Sequence, residues 1–217
     1  MAKEPAKQSG YKGTSREAYQ AGAASGSAGG GGSTGKTEQG YTNVMKKNIL
    51  STEAAIRMNK DESLHVFDAS GRKVYTNQGA GARVGYDSAQ IPRDSIITHN
   101  HPRALGKKGI LSIGNSFSPA DIQSAVALGA KEIRAVTPNY TFSIKRPASG
   151  WGSLTSISKD LAKMDRALDR ERLKYVNKSS SKAHANARWE RDAITHYHRM
   201  MKQMSKKYGW DYTKKKG

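Results

Sequence analysis

The 217-residue chain has no cysteine. That excludes disulfide staples, thiolate metal sites and a cysteine nucleophile. It also excludes the zinc deaminase signature, which needs a cysteine pair. Acids are scarce, with 18 Asp and Glu against 37 Lys and Arg, for a formal net charge of +19. Solubility of a small domain calls for a net magnitude of only about 2–8. The surplus points to an anionic partner, nucleic acid first. No run reaches the roughly 18 apolar residues of a membrane span, so no membrane partner is expected. The start, Met1-Ala2-Lys3-Glu4-Pro5, lacks an apolar h-region, so no signal peptide is expected and an intracellular protein is.

The charge is unevenly spread. Residues 151–217 carry 17 basic and 7 acidic side chains, against 13 and 8 in 51–150 and 7 and 3 in 1–50. The first forty residues hold ten Gly, and 21–35 has no side chain larger than Thr. Such a stretch buries too little apolar area to offset its ordering entropy, so 1–40 reads as a flexible basic tail. Residues 30–37 fit G-x-x-x-x-G-K-[ST], but no apolar strand precedes them and no helix opens after them, so a phosphate loop is rejected.

Residues 41–150 read as the folded domain. Ser63-Leu64-His65-Val66-Phe67-Asp68 alternates as a strand does, 69–72 signals a turn, and 73–76 is the return strand. Ser95-Ile96-Ile97-Thr98 suits a buried strand. Ser118-Pro119-Ala120-Asp121 opens a helix with a good N-cap, Pro at the first position and a capping box, and Gly129 stops it. A second hairpin follows over 133–136 and 140–144, and 147–150 ends the domain. Residues 151–217 read as a basic amphipathic helical extension. Leu154, Ile157, Leu161, Met164 and Leu168 form one stripe, and Trp189, Ala193, Tyr197, Met200 and Met204 a second. Two antiparallel helices are expected, packed on each other or on the domain, with exposed Met and Trp as a possible assembly surface. The fold class is α/β (α+β), a mixed sheet with flanking helices and a C-terminal helical pair.

One constellation carries chemistry: Thr98-His99-Asn100-His101-Pro102 and Ser118-x-x-Asp121. Histidines at i and i+2 on an extended segment point the same way and can share one ion. The following helix can bring Asp121 to the same point. His99, His101 and Asp121 make three N/O ligands, and catalytic zinc keeps a fourth position for water. The ion would bring that water's pKa toward about 7. A general base is then needed. Glu62 is the best placed acid, with Asp61 and Glu53 as fallbacks.

His99-Asn100-His101-Pro102 with Ser118-x-x-Asp121 resembles the JAMM (JAB/MPN-like) metalloprotease motif, and the form His-Asn-His-Pro is most similar to its RadC-type branch. The resemblance covers roughly 53–145. It implies a JAB/MPN-like sheet, zinc on His99, His101 and Asp121, Glu62 as base, Ser118 as donor to an oxyanion, and hydrolysis of a peptide or isopeptide bond in a protein substrate. Sixteen residues separate His101 from Ser118, more than the family's usual spacing. The basic insert at 103–109 fits a surface loop, since closure entropy grows only logarithmically with length, with a substrate-contacting flap or a site drifted from catalysis as the alternatives. A looser resemblance, through 117–121, 133–136, 140–143 and Gly150-Trp151, is to domains of phage minor head or head-morphogenesis proteins. It implies a phage or prophage setting, in host cytoplasm or virion, with capsid proteins as partners. A second expectation is a non-catalytic structural protein of the same fold that binds DNA through its basic helices.

The remaining histidines read as structural. His196 and His198 sit at i and i+2 of a helix, about 200° apart, so one faces the bundle and the other solvent. His65 reads as half-buried and His184 as exposed. His99-Asn100-His101 is not an HNH nuclease signature, which describes residues scattered over a ββα metal fold.

Overall fold

The computed structural model describes residues 42–81, 84–102, 116–178 and 181–217. The glycine-rich tail, the pattern at 30–37 and the basic insert at 103–109 lie outside the described residues. The rest is mixed α/β: helices α1 (Asn43–Ile56), α2 (Pro119–Leu128), α3 (Leu154–Asn177) and α4 (Lys182–Tyr208), and strands β1 (Ser63–Phe67), β2 (Lys73–Gln78), β3 (Ile96–Asn100), β4 (Glu132–Val136), β5 (Tyr140–Lys145) and β6 (Asp211–Lys216), with a short 3-10 turn at Ser88–Gln90. The strands form one sheet in the order β2-β1-β3-β4-β5-β6. Only β3 and β4 run parallel, and α2 lies in the connection between them. Among the described residues no helix is long and apolar enough to cross a membrane.

Alternation divides the sheet's residues between two faces. Leu64, Val66, Ile97, Ile133, Ala135, Phe142 and Ile144 join one buried core with Ile122 and Ala125 of α2, Ile157, Leu161 and Leu168 of α3, and Met201 and Met204 of α4. The opposite face gives Phe67 and Ile96 to a smaller cluster with Met45 and Ile49 of α1. The sheet is therefore covered on both sides.

Helix α1 was not anticipated. Thr42 caps it, accepting the Met45 N–H at 3.2 Å. Its buried face is Met45, Ile49, Thr52, Glu53 and Ile56, so two of the five are polar and the period does not stand out. The turn before β2 docks against it. Asp68 accepts the N–H groups of Ser70 and Arg72 at 2.9 and 3.0 Å. Gly71 there has φ +85°, and a Cβ on it would lie 2.6 Å from the Met45 Cα.

The expected helical extension at 151–217 is corrected at its end. Gly209, at φ +69°, stops α4. Residues 211–216 then run as β6 along β5, with Ser143 and Thr213 hydroxyls 2.9 Å apart. Tyr212 and Thr213 favour a strand, and lysines on an outer strand discourage further pairing. Lys214 lies over the Tyr140 ring, 4.2 Å from its centre. Trp151 and Trp210 also enter the main core, where Trp151 Nε1 donates to the Ala130 carbonyl at 2.7 Å and Trp210 Nε1 to the Trp151 carbonyl at 3.1 Å. The expected exposed Met and Trp surface is therefore not present on these helices: Met201 and Met204 are buried, and Trp189 and Met200 pack against the core.

Candidate metal centre

The parallel pairing of β3 with β4 sets the site. His99 lies opposite Ala135, a small residue that leaves room above the strand. The His101 N–H still donates to the Val136 carbonyl at 2.8 Å, so the chain stays extended past β3. Both imidazoles consequently project from the same face, toward the start of α2. There the capping box forms as expected. Ser118 Oγ accepts the Asp121 N–H at 3.2 Å, and Asp121 Oδ2 accepts the Ser118 N–H at 2.6 Å. This exchange fixes the carboxylate that α2 presents.

His99 Nε2 and His101 Nε2 lie 2.9 Å apart. Asp121 Oδ1 is 3.5 Å from His99 Nε2, and Asp121 Oδ2 is 3.5 Å from His101 Nε2. Glu62 Oε1 stands 4.0 Å from His99 Nε2. One ligand atom from each of Glu62, His99, His101 and Asp121 falls within 4.8 Å of all the others. Ligands at 2.0–2.1 Å from one tetrahedral ion would be about 3.3 Å apart, so the His, His and Asp separations fit a shared cation. Two imidazole nitrogens facing each other with carboxylates beside them also make a donor set suited to one. The group can hold a metal ion.

Burial and charge act on the two carboxylates in opposite directions. Burial pushes the Asp121 carboxyl up, but His99 and His101 outweigh it and hold it well below the usual carboxylate range. Glu62 moves the other way: burial raises it, the two imidazoles pull it partly back, and Asp121 adds to the rise. Two carboxylates a few ångströms apart are thus driven toward different protonation behaviour. The His99 side chain is 3% exposed and that of Glu62 10%, whereas His101 and Asp121 reach 18% and 16%. The cluster is closed on one side and meets solvent past His101 and Asp121.

Of the sequence-predicted residues, the structure brings together Glu62, His99, His101 and Asp121, with Ser118 bonded to Asp121. It does not bring in the fallback acids. Asp61 Oδ1 accepts the Gly81 N–H at 2.8 Å. Glu53 lies under the opposite face, where it accepts the Thr98 hydroxyl at 3.1 Å and binds Arg134. Sequence reasoning missed the bonds that hold Glu62: its N–H donates to the Gly81 carbonyl and its carbonyl accepts the Gly79 N–H, both at 2.7 Å. The closely spaced glycines 79 and 81 were the available signal.

Two other histidine readings need correction. His65 is buried, not half-buried: Nδ1 lies 3.2 Å from the Thr76 hydroxyl, and among the described residues Nε2 has no hydrogen-bond partner. His198 does not face open solvent, since its Nδ1 lies 3.1 Å from the Tyr212 hydroxyl. His196 faces the bundle, stacked on Trp189 and 3.2 Å from the Tyr175 hydroxyl. His184 is exposed.

Comparison with protein-family models, with curated proteins and with solved structures finds no match. Fold and site together define a mixed α/β protein with a partly buried Glu, His, His and Asp group able to hold a metal ion.

Proposed function

We propose that the chain is a zinc-dependent hydrolase of the JAMM type, acting on a peptide or isopeptide bond. The observation that carries the reading is the convergence of His99, His101 and Asp121 on one point, with Glu62 a step further out. His99, His101 and Asp121 would hold the ion. When bound, zinc supplies a Lewis acid that polarises a carbonyl and makes water a nucleophile near neutral pH.

The chain's own residues divide the remaining work. Glu62 takes the proton from the attacking water and returns it to the leaving nitrogen, a role that its place 4.0 Å from His99 Nε2 supports. Ser118 accepts the Asp121 N–H with its oxygen, which leaves its own O–H free to donate to an oxyanion. The Ser118 N–H holds Asp121 Oδ2, as outer partners orient metal ligands elsewhere.

Elemental analysis of the purified chain should give one zinc, absent from His99→Ala and Asp121→Ala. Zinc at about 1,000 times its Kd should stabilise the fold by about 4 kcal/mol. Glu62→Gln should keep zinc and lose turnover by about 10²–10⁴-fold. A protein whose melting ignores added zinc would sink the proposal.

A second reading has its own support. Lys159, Lys163, Arg166, Arg170, Lys202, Lys206 and Lys207 are exposed on α3 and α4, and Lys215 and Lys216 on β6. We propose that these bind nucleic acid, in a phage-associated structural role that does not need catalysis. Binding should weaken steeply with salt as phosphate contacts release counterions, and salt-insensitive or absent binding refutes it.

A further inference from the structure

The residue between the two histidines, Asn100, is fully buried. Strands β1 and β3 pair as far as Leu64 opposite His99. The next step of the ladder is closed by a side chain. The Ser63 N–H donates to Asn100 Oδ1 at 2.7 Å, and Asn100 Nδ2 donates to the Asp61 carbonyl at 3.1 Å. A primary amide offers an acceptor and donors, as a peptide group does, so Asn100 stands in for one. Its orientation follows from its partners, because an N–H requires the oxygen and a carbonyl requires the nitrogen.

The two tethers fall on either side of Glu62. The backbone of Glu62 itself is bonded to Gly79 and Gly81. The segment 61–63 is thus held between Asn100 on one side and the glycine turn on the other. His99 and His101 flank Asn100 in the chain, so one side chain joins the strand bearing both imidazoles to the segment bearing the acid.

We propose that Asn100 is the positioning residue of the centre, fixing how far the Glu62 carboxylate stands from the two imidazoles. The inference rests on the reading of Glu62 as the general base. No other side chain of similar size does the same: Asp lacks the donor for Asp61, Leu lacks both groups, and Ser is shorter.

The test uses the full chain loaded with Co2+ as the probe, with two readouts independent of turnover. These are the visible spectrum of the bound cobalt and the hydrogen exchange of the Ser63 amide. Glu62→Gln should change the cobalt spectrum. Asn100→Ala should still bind one cobalt per chain, take on the Glu62→Gln spectrum and exchange the Ser63 amide faster. Asn100→Asp keeps the size and an acceptor for Ser63 but loses the donor, so it should shift the spectrum with Ser63 partly protected. It also serves if Asn100→Ala does not fold. A wild-type spectrum in a folded Asn100 variant overturns the positioning role and leaves the base reading standing. Loss of cobalt from both variants also overturns it, since Asn100 would then shape the ligands and not Glu62. An unchanged spectrum in Glu62→Gln removes the base reading, and the inference with it.

Discussion

Replacing Arg134 with Leu tests the charge cluster under β3. Arg134 Nε and Nη2 donate to the two Glu53 oxygens at 2.5 and 3.1 Å, and Nη1 donates to Glu132 at 2.7 Å. The Glu53 and Glu132 side chains are 2% and 0% exposed, so neither can turn to water when the cation is lost. Breaking a buried pair from one side costs about 3–5 kcal/mol, because an uncompensated charge stays behind. At about 2–4 °C per kcal/mol for a body of this size, the melting temperature should fall by about 6–20 °C. The loss should depend on pH. Burial already raises Glu132, and without Arg134, which pulls it partly back, its folded-state pKa would stand further above its unfolded one. Stability is then retained below the unfolded carboxylate pKa and lost as pH rises. Urea unfolding followed by circular dichroism at pH 5 and pH 8 should show the greater deficit at pH 8. A Glu53→Met/Arg134→Leu double variant should recover part of it. A loss under about 1 kcal/mol, or one equal at both pH values, would refute the account.

Burial, with Lys73 nearby, lowers the His65 pKa to about 4, so its neutral form is favoured in the fold. Its contribution should be full above pH 6.5 and fade as pH falls toward 4, by about 3 kcal/mol at most, measured as the stability difference from His65→Gln. Gly71→Ala meets both a positive φ and the Met45 backbone, and should destabilise by at least about 1–3 kcal/mol in urea. An unchanged midpoint would mean that the turn does not press on α1. Trp210→Ala should cost about 3–5 kcal/mol in one cooperative transition, since Trp210 sits in the core shared by sheet and helices. A separate early transition confined to the helices would contradict that shared core.

Much of the site was legible because its chemistry is written in short spacings. His99 and His101 two apart on a strand must share a face, and Ser118-x-x-Asp121 is a helix start whether or not it binds metal. Glu62 is readable as the best placed of three acids, with Asp61 and Glu53 left as fallbacks. What separates it from Asp61 and Glu53 is backbone pairing with Gly79 and Gly81, a contact between segments whose one local sign is the close spacing of those glycines. Asn100 had no signal at all, since a residue between two ligands on a strand faces away from them. In the fold, the strand around His65 is legible from alternation, those around Ile97 and Phe142 from a β-branched run and a turn signal, and helix α2 from its capping. Helix α1 stayed hidden because Glu53 occupies its buried stripe, its charge answered by Arg134 some eighty positions later. Strand β6 is hidden in the sequence because three lysines resemble a solvated helix end. Tyr212, which faces His198, was the contrary sign.

The pairing of β6 with β5 has a kinetic consequence. Ser143 and Thr213, bonded across that ladder, are 70 positions apart, with all of α3 and α4 between them. Contacts of such separation are slow to form because the intervening chain must first be ordered. The helical hairpin can form early from local contacts, whereas the outer edge of β5 stays open until the hairpin has folded back. In that interval an unpaired strand carrying Phe142 and Ile144 is available to other chains. Refolding yield should therefore fall with protein concentration more steeply than the stability of the finished fold would suggest.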